Sequence, residues 1–482
     1  MVRPPVDYSG SDLCAKSARE VVRLLKAGDV SPHEVLQAAL DRIAAVNGPV
    51  NATVIQCAER AQASIDRLPA HARESEDHPG WLAGLTIGIK DLIDVAGIPN
   101  TCGSPALKTN IPQKSDALIE RLEKRGAVIG GKTNTPEFGA GANTFNEVFG
   151  ITRNPYNIAC NAGGSSGGSA AALATGQFWL CHGSDLAGSL RTPASFCAVV
   201  GLRPSPGRAG GGPVDSAFSL EPVQGPMARN VGDVALFLDS MCGFDVRHPI
   251  SLPEPTVPFQ AILETDPGSI KIAFTEDLGG FAPVEKEIRD TLRGAIHKLP
   301  DRRLEIVESY PELQRLNEIY LTLRGIHYGA VTDNLPAAAK RHFKRTLREN
   351  VDFGRNLDAS QIYQGLRGKT RIYHTMRRFF EDFDVLAMPN TGIAPGPVDI
   401  EYPREVDGVK MHDYVDWLRF SFLATVAGLP SLSLPAGFTG DGLPVGIQLI
   451  AGPRNEARLL RAALEIERRL DLGSSPIDPI MG

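Results

Sequence analysis

The sequence predicts an α/β fold, on three observations. Short apolar runs of strand length recur between helical stretches along most of the chain. Helix starts and stops are legible at their caps. With 482 residues, 42% of them hydrophobic and 22% charged, this is ordinary globular material, long enough for one large domain or two to three smaller ones.

In order, the chain opens with two helices. Ser17 with Glu20 and Ser31 with Glu34 are capping-box pairs, Pro32 takes the first helical position, and Gly28 separates the two. Residues 85–89 form an apolar strand ending in Lys90 and Asp91, which places a lysine at a strand end. Residues 117–124 are helical with Gly126 as the stop, 127–129 a brief strand, and 134–154 loop-rich. Residues 169–175 are small and alanine-rich and favour helix, with Gly176 as a left-handed cap. Residues 177–181 read as a buried strand, 183–188 as a loop, and Ser189 as the start of another turn. Farther on come a helix at 231–241, a proline-rich insertion at 250–258, and a strand, helix, strand unit at 271–274, 285–299 and 304–307. Residues 330–383 are helical; their basic group at 340–345 reads as a solvated helix face. Strands at 384–388, 431–434 and 445–450 precede a closing helix at 456–468.

The net charge of -6 argues against a nucleic-acid partner held by general electrostatics. The seven cysteines, at 14, 57, 102, 160, 181, 197 and 242, include no Cys-x-x-Cys pair. Neither a disulfide framework nor a zinc knuckle is suggested, and a reducing, cytoplasmic setting fits. The first ten residues hold no apolar signal core, and the most apolar late stretch is broken by Pro430 and Pro435, so no membrane span is expected.

Glycine and serine concentrate at 163–169 and 183–189. A helix and a strand between them run roughly 12 Å out and 17 Å back, so the two segments can meet. Three chemistries compete for this region. Gly126 to Thr133 satisfies the phosphate-loop pattern G-x-x-x-x-G-K-[ST], but an apolar strand lies inside it and Asn134, Thr135 and Pro136 follow where a helix is required. Gly164 to Gly168 satisfies G-x-S-x-G, which would make Ser166 an elbow nucleophile. Histidines 248, 297, 327, 342, 374 and 412 lie downstream, yet none is in a site-like setting, and residues 157–162 do not read as the strand such an elbow needs. The third chemistry needs no histidine: a lysine neutralised by burial is the base, and one serine relays a proton from a second, nucleophilic serine. Composition and spacing leave these readings open.

The ordered motifs resemble those of the amidase signature hydrolases. The likeness covers the two N-terminal helices and residues 84–103, 131–155, 163–207, 224–243 and 428–452, and is weakest between about 250 and 385. It implies one domain over residues 1–482, a mixed twisted sheet surrounded by helices. Within it lie a signature core at about 84–245, a variable substrate-pocket region at about 250–385 and a return to the sheet at about 386–470. The family's Ser-Ser-Lys triad falls on Lys90, Ser165 and Ser189, spaced by 75 and 24 residues. The resemblance makes Ser189 the nucleophile, Ser165, preceded by a cis peptide bond, the relay, and neutral Lys90 the base. It makes the backbone N–H groups of Leu186, Ala187, Gly188 and Ser189 an oxyanion hole, with Ser166, Asp185 and Arg191 in support.

No cofactor or metal is implied. The implied partner is a small-molecule amide, apolar or aryl, with a homodimer left open. Tyr320, Tyr328, Phe343, Tyr363, Phe379, Phe380 and Trp417 are candidates for the acyl pocket, each also readable as packed core. The amidase component of a tRNA-dependent amidotransferase is a second possibility within the family, weakened by the run Ala209-Gly210-Gly211-Gly212 after Arg208. A non-catalytic scaffold keeping the fold is a third. Three departures stand out: Leu186-Ala187 in place of Thr-Gly, Cys160-Asn161-Ala162 in place of Arg-Thr-Pro, and Thr425 where asparagine is common. At positive φ, Ala187 would cost on the order of 1 kcal/mol.

Overall fold

A computed structural model of the chain describes residues 4, 6–210 and 216–481. Eleven strands form one sheet: β1 (Thr53–Gln56), β2 (Thr86–Lys90), β3 (Val128–Thr133), β4 (Leu180–Asp185), β5 (Val200–Arg203), β6 (Val223–Ala228), β7 (Ile270–Phe274), β8 (Leu304–Glu308), β9 (Val385–Pro389), β10 (Ser431–Phe438) and β11 (Pro444–Ala451). Their order is β1-β3-β2-β4-β6-β5-β10-β11-β9-β7-β8. The sheet is mixed: β2 runs parallel to both β3 and β4, β7 runs parallel to β8 and β9, and the other neighbours are antiparallel. The fold is therefore a single α/β domain built on a large mixed sheet.

Helices cover both faces. Adjacent residues of one strand enter different apolar clusters, as alternation demands: Leu180 and Ala228 join a cluster with the helices Val231–Met241 and Glu456–Leu470, whereas Cys181 and Met227 join the helices Gly167–Ala174 and Arg191–Phe196. With both faces covered, the interior strands β2, β3 and β9 are buried at every position.

The local signals hold. Ser17–Glu20 and Ser31–Glu34 close reciprocal capping boxes, and Gly28 ends its helix at φ 76. The helices Ala117–Lys124 and Val231–Met241 have the expected bounds. Gly126 and Gly176 take the left-handed conformation that stops the chain there.

Four expectations are corrected. β4 begins at Leu180 and runs to Asp185, so half of the residues read as a loop at 183–188 continue a strand paired with β6. Asn157–Asn161, read as non-strand, pairs with Arg153–Asn154. The helical region at 330–383 starts earlier, with Leu316–Asp333, and is broken into further helices at Ala337–Arg341, Arg345–Arg355 and Ala359–Asp382. Within the basic group, Lys344 turns inward: its Nζ donates to Glu401 Oε1 at 2.9 Å and lies over the Phe145 ring. Of the run that follows Arg208, Gly211 and Gly212 lie outside the described residues.

Candidate active site

β2 delivers Lys90 as its last residue, with no exposure to solvent. Its Nζ donates to Ser165 Oγ at 2.6 Å, Ser166 Oγ at 3.0 Å and Ser184 Oγ at 2.9 Å. Burial pulls its pKa down from 10.5 to about 7, against a smaller upward pull from Asp185. Three hydroxyl partners suit either protonation state: an ammonium donates to all three, whereas a neutral amine donates to two and accepts from the third.

Ser165 and Ser166 precede the helix Gly167–Ala174, and the Gly164-Ser165 peptide is cis. Asn161 holds this segment from behind: its Oδ1 accepts from Gly163 N at 3.0 Å and its Nδ2 donates to Gly396 O at 2.9 Å. Thr144 Oγ1 donates to Gly163 O at 2.8 Å and accepts from Gly167 N at 3.2 Å. The two serine-glycine segments do meet: Ser166 N donates to Ser189 O at 3.2 Å. Gly183 permits the approach, because a Cβ there would lie 2.8 Å from Ser166 Oγ.

Ser165, Ser184 and Ser189 line one cavity of about 700 Å³. Both candidate triad serines therefore open on the same space, with Lys90 behind Ser165. No hydrogen bond joins Ser165 Oγ to Ser189 Oγ among the described residues. Ser166 is fully buried and does not line the cavity; its hydroxyl accepts from Lys90 and donates to Ser184 O at 3.4 Å. That geometry speaks against Ser166 as an elbow nucleophile. The phosphate-loop match also dissolves, since β3 runs through it and Lys132 Nζ is spent on Ile93 O, Asn100 Oδ1 and Asp91.

The loop after β4 is braced by a buried ion cluster. Asp185 receives Arg191 through Nε at 3.0 Å and Nη2 at 2.8 Å, while Arg203 Nη1 reaches its Oδ1 at 3.3 Å. Burial alone would push the Asp185 pKa up; the two guanidinium groups hold it well below the usual carboxylate range. Asp185 also accepts from the backbone N–H of Gly188 at 3.0 Å and of Leu190 at 3.1 Å. Of the four oxyanion-hole candidates, Gly188 N–H is thus engaged. Among the described residues no acceptor faces the N–H of Leu186, Ala187 or Ser189. The positive φ of this loop, +88, falls on Gly188 and not on Ala187, so the alanine carries no backbone penalty. Thr425 Oγ1 donates to Leu186 O at 2.9 Å and pins the loop from outside.

Two variants test this scaffold. Asp185→Asn removes the charge facing two buried guanidinium groups and is expected to destabilise the fold by about 3 kcal/mol, read by urea unfolding. Gly188→Ala would place a Cβ 2.2 Å from Ser421 Oγ at a φ that disfavours alanine. Steady-state kinetics should show a loss on the order of 100-fold in kcat, with KM moved less.

Of the aromatic residues expected in the pocket, Tyr328 alone lines the cavity. Leu92, Ile93, Phe138 and Val331 line it too. Tyr320 instead stacks on Phe422 at 3.7 Å, Trp417 stacks on Phe196, Phe343 packs edge-on against Phe138, Phe379 and Phe380 pack beside the core, and Tyr363 is exposed. His248 and His327, read as lying outside any site, both line the cavity, and so does His182. Ser184 is a further polar residue that the sequence did not single out; its signal is the two-residue alternation along β4, visible once β4 is known to extend past Cys181. Among the described residues no group of histidine, cysteine, aspartate and glutamate side chains could hold a metal ion. All seven cysteines are free. Among the described residues no helix is long and apolar enough to cross a membrane.

Comparison with known proteins agrees with this architecture. Residues 34–460 match the family described as Amidase, and the chain belongs to that family, the amidase signature enzymes. It is 34% identical to the A subunit of glutamyl-tRNA(Gln) amidotransferase from Synechococcus sp. (strain RCC307), over 95% of this chain and 98% of that protein. A namesake from Prochlorococcus marinus (strain MIT 9303) is also 34% identical, over 92% and 95%. Among solved structures, a bacterial aryl acylamidase of the amidase signature family superposes with a TM-score of 0.87 at 27% identity, covering 96% of this chain and 99% of that one. The 6-aminohexanoate cyclic dimer hydrolase gives 0.82 at 28%, covering 95% and 98%.

Proposed function

We propose that this amidase-family chain hydrolyses a small carboxylic amide through an acyl-enzyme on Ser189, giving acid plus amine or ammonia. The observation that carries the reading is the fully buried Lys90, 2.6 Å from Ser165, whose hydroxyl shares a cavity with Ser189. Near neutral pH a large fraction of Lys90 is uncharged and can accept a proton. Ser165 passes that proton on from Ser189 once rotation about Cα–Cβ brings the two hydroxyls into hydrogen-bonding range.

Ser189 Oγ then attacks the amide carbon, and the carbonyl oxygen gains negative charge. The N–H groups of Leu186, Ala187 and Ser189 are the donors available to it; one such donor is worth about 3 kcal/mol. Gly188 serves by another route, tying the loop to Asp185. Collapse of the tetrahedral intermediate breaks the C–N bond, and the proton held on Lys90 returns through Ser165 to the leaving nitrogen. Water, deprotonated along the same path, releases the acid. Apolar walls from Leu92, Ile93, Phe138 and Val331 favour an apolar or aryl substrate.

A second reading is favoured by the sequence relatives named as amidotransferase components. Assay of the purified chain against simple aliphatic and aryl amides, esters and glutamine separates the two. Turnover of simple amides by the chain alone supports the hydrolase. Ammonia release from glutamine that appears only with further protein components supports the amidotransferase.

A further inference from the structure

The lysine of the phosphate-loop pattern, which the amide chemistry does not use, is fully buried on β3. β2 and β3 pair in parallel with Ile89 opposite Lys132 and Lys90 opposite Thr133, so the two lysines leave opposite faces of the sheet. Lys90 turns to the serines, as does Thr133, whose Oγ1 lies 2.7 Å from Ser169 Oγ. Lys132 turns to the loop after β2. There its ammonium meets three oxygens: Ile93 O at 2.9 Å, Asn100 Oδ1 at 3.2 Å and Asp91 Oδ1 at 3.1 Å. Three acceptors match its three donors, so this buried charge is fully satisfied.

Each acceptor hands the constraint on. Asn100 Nδ2 donates to Asp94 Oδ1 at 2.6 Å. Asp91, itself fully buried, accepts from the N–H of Thr101 at 3.3 Å and from its hydroxyl, and Thr101 Oγ1 in turn accepts from Gly103 N at 3.0 Å. Cys102 takes a φ of +49 between them, and its O accepts from Phe138 N at 2.8 Å, with Phe138 at a φ of +48. Such backbone is costly for cysteine and phenylalanine and persists only where its surroundings over-determine it. Ile93, Asp94, Asn100, Cys102 and Phe138 all line the cavity, whereas Asp91, Thr101 and Lys132 are not among the described residues that line it. One hidden ammonium thus anchors a wall built from two loops.

We infer that Lys132 is a positioning residue for substrate recognition: from behind the wall it fixes Ile93 directly and Phe138 through Asp91 and Thr101, and so sets a preference of the cavity for aryl over small aliphatic amides. The inference rests on the amidohydrolase reading and adds to it the residue that holds the apolar pocket in shape.

The test is the ratio of kcat/KM for benzamide, and for acetanilide, to that for acetamide. These place a ring on either side of the scissile bond, and a ratio does not depend on the fraction of protein folded. Lys132→Met alone strands the Asp91 carboxylate, so Lys132→Met is combined with Asp91→Asn; Thr101→Val removes one hydroxyl with little change of shape and cuts the link to Phe138. The native protein should favour at least one aryl amide. Both variants should lower that ratio about tenfold, mainly through KM, while keeping the rise of kcat/KM through about pH 7. If the double variant does not fold, Thr101→Val decides. Affinities for the same amides are measured by calorimetry on the Ser189→Ala protein, with and without these substitutions. A ratio unchanged in either folded variant, an equal loss on all three amides, or a native protein with no aryl preference in rate or affinity would overturn the inference. An aryl preference in affinity that both variants lose, with no turnover by the native protein, would leave it standing and overturn the amidohydrolase reading instead.

Discussion

Lys90→Met is expected to lower kcat/KM on any amide the protein turns over by roughly 10³–10⁴-fold, on the order of what a general base contributes, while the protein still folds. Methionine keeps most of the buried aliphatic volume and leaves no charge behind. The loss should therefore read on chemistry more than on stability, which circular dichroism and urea unfolding check. The pH dependence carries more information than the magnitude. Protonated Lys90 has no lone pair, so native kcat/KM should rise as pH is raised through about 7 and then level off. In Lys90→Met that rise should vanish. A variant that keeps both its rate and its pH profile would contradict the role given to the lysine.

Ser189→Ala should be at least as damaging, on the order of 10⁴-fold or more, because it removes the atom that forms the covalent intermediate. Ser165→Ala should fall near the Lys90 variant, since relay and base act as one unit. Combining Ser165→Ala with Lys90→Met should then cost little beyond either alone. The three variants separate the present reading from the elbow alternative. If Ser166 were the nucleophile, Ser189→Ala would retain turnover, and Ser166, lodged between Lys90 Nζ and Ser184 O, would have to leave that network to attack.

Much of the scaffold was legible in the sequence because its signals are local. The capping boxes at Ser17 and Ser31 and the glycine stops at 28, 126 and 176 depend on residues within one turn, and each holds. Lys90 at the end of a β-strand was likewise a local reading. What the sequence hid depends on pairing across the chain. The register of β4 against β6 decides that Ser184 and Gln224 face each other, and nothing near residue 181 announces it. The aromatic residues of the later helices were candidates for the pocket, but Tyr320 found Phe422 and Trp417 found Phe196, contacts set by how helices pack rather than by spacing. Of that set Tyr328 does line the cavity, and further walls come from the loops after β2 and β3, through Leu92, Ile93 and Phe138. The concern over Ala187 went the same way: the strained φ fell one residue later, on a glycine.

A fluorophosphonate reacts with a serine hydroxyl at the rate its base can activate it, so peptide-mapped labelling as a function of pH interrogates nucleophile and base together. A single adduct on Ser189 is expected, formed faster as pH is raised through about 7 and at a slow, pH-independent rate in Lys90→Met. An adduct on Ser166, no adduct at all, or labelling of Ser189 that is indifferent to Lys90 would contradict it.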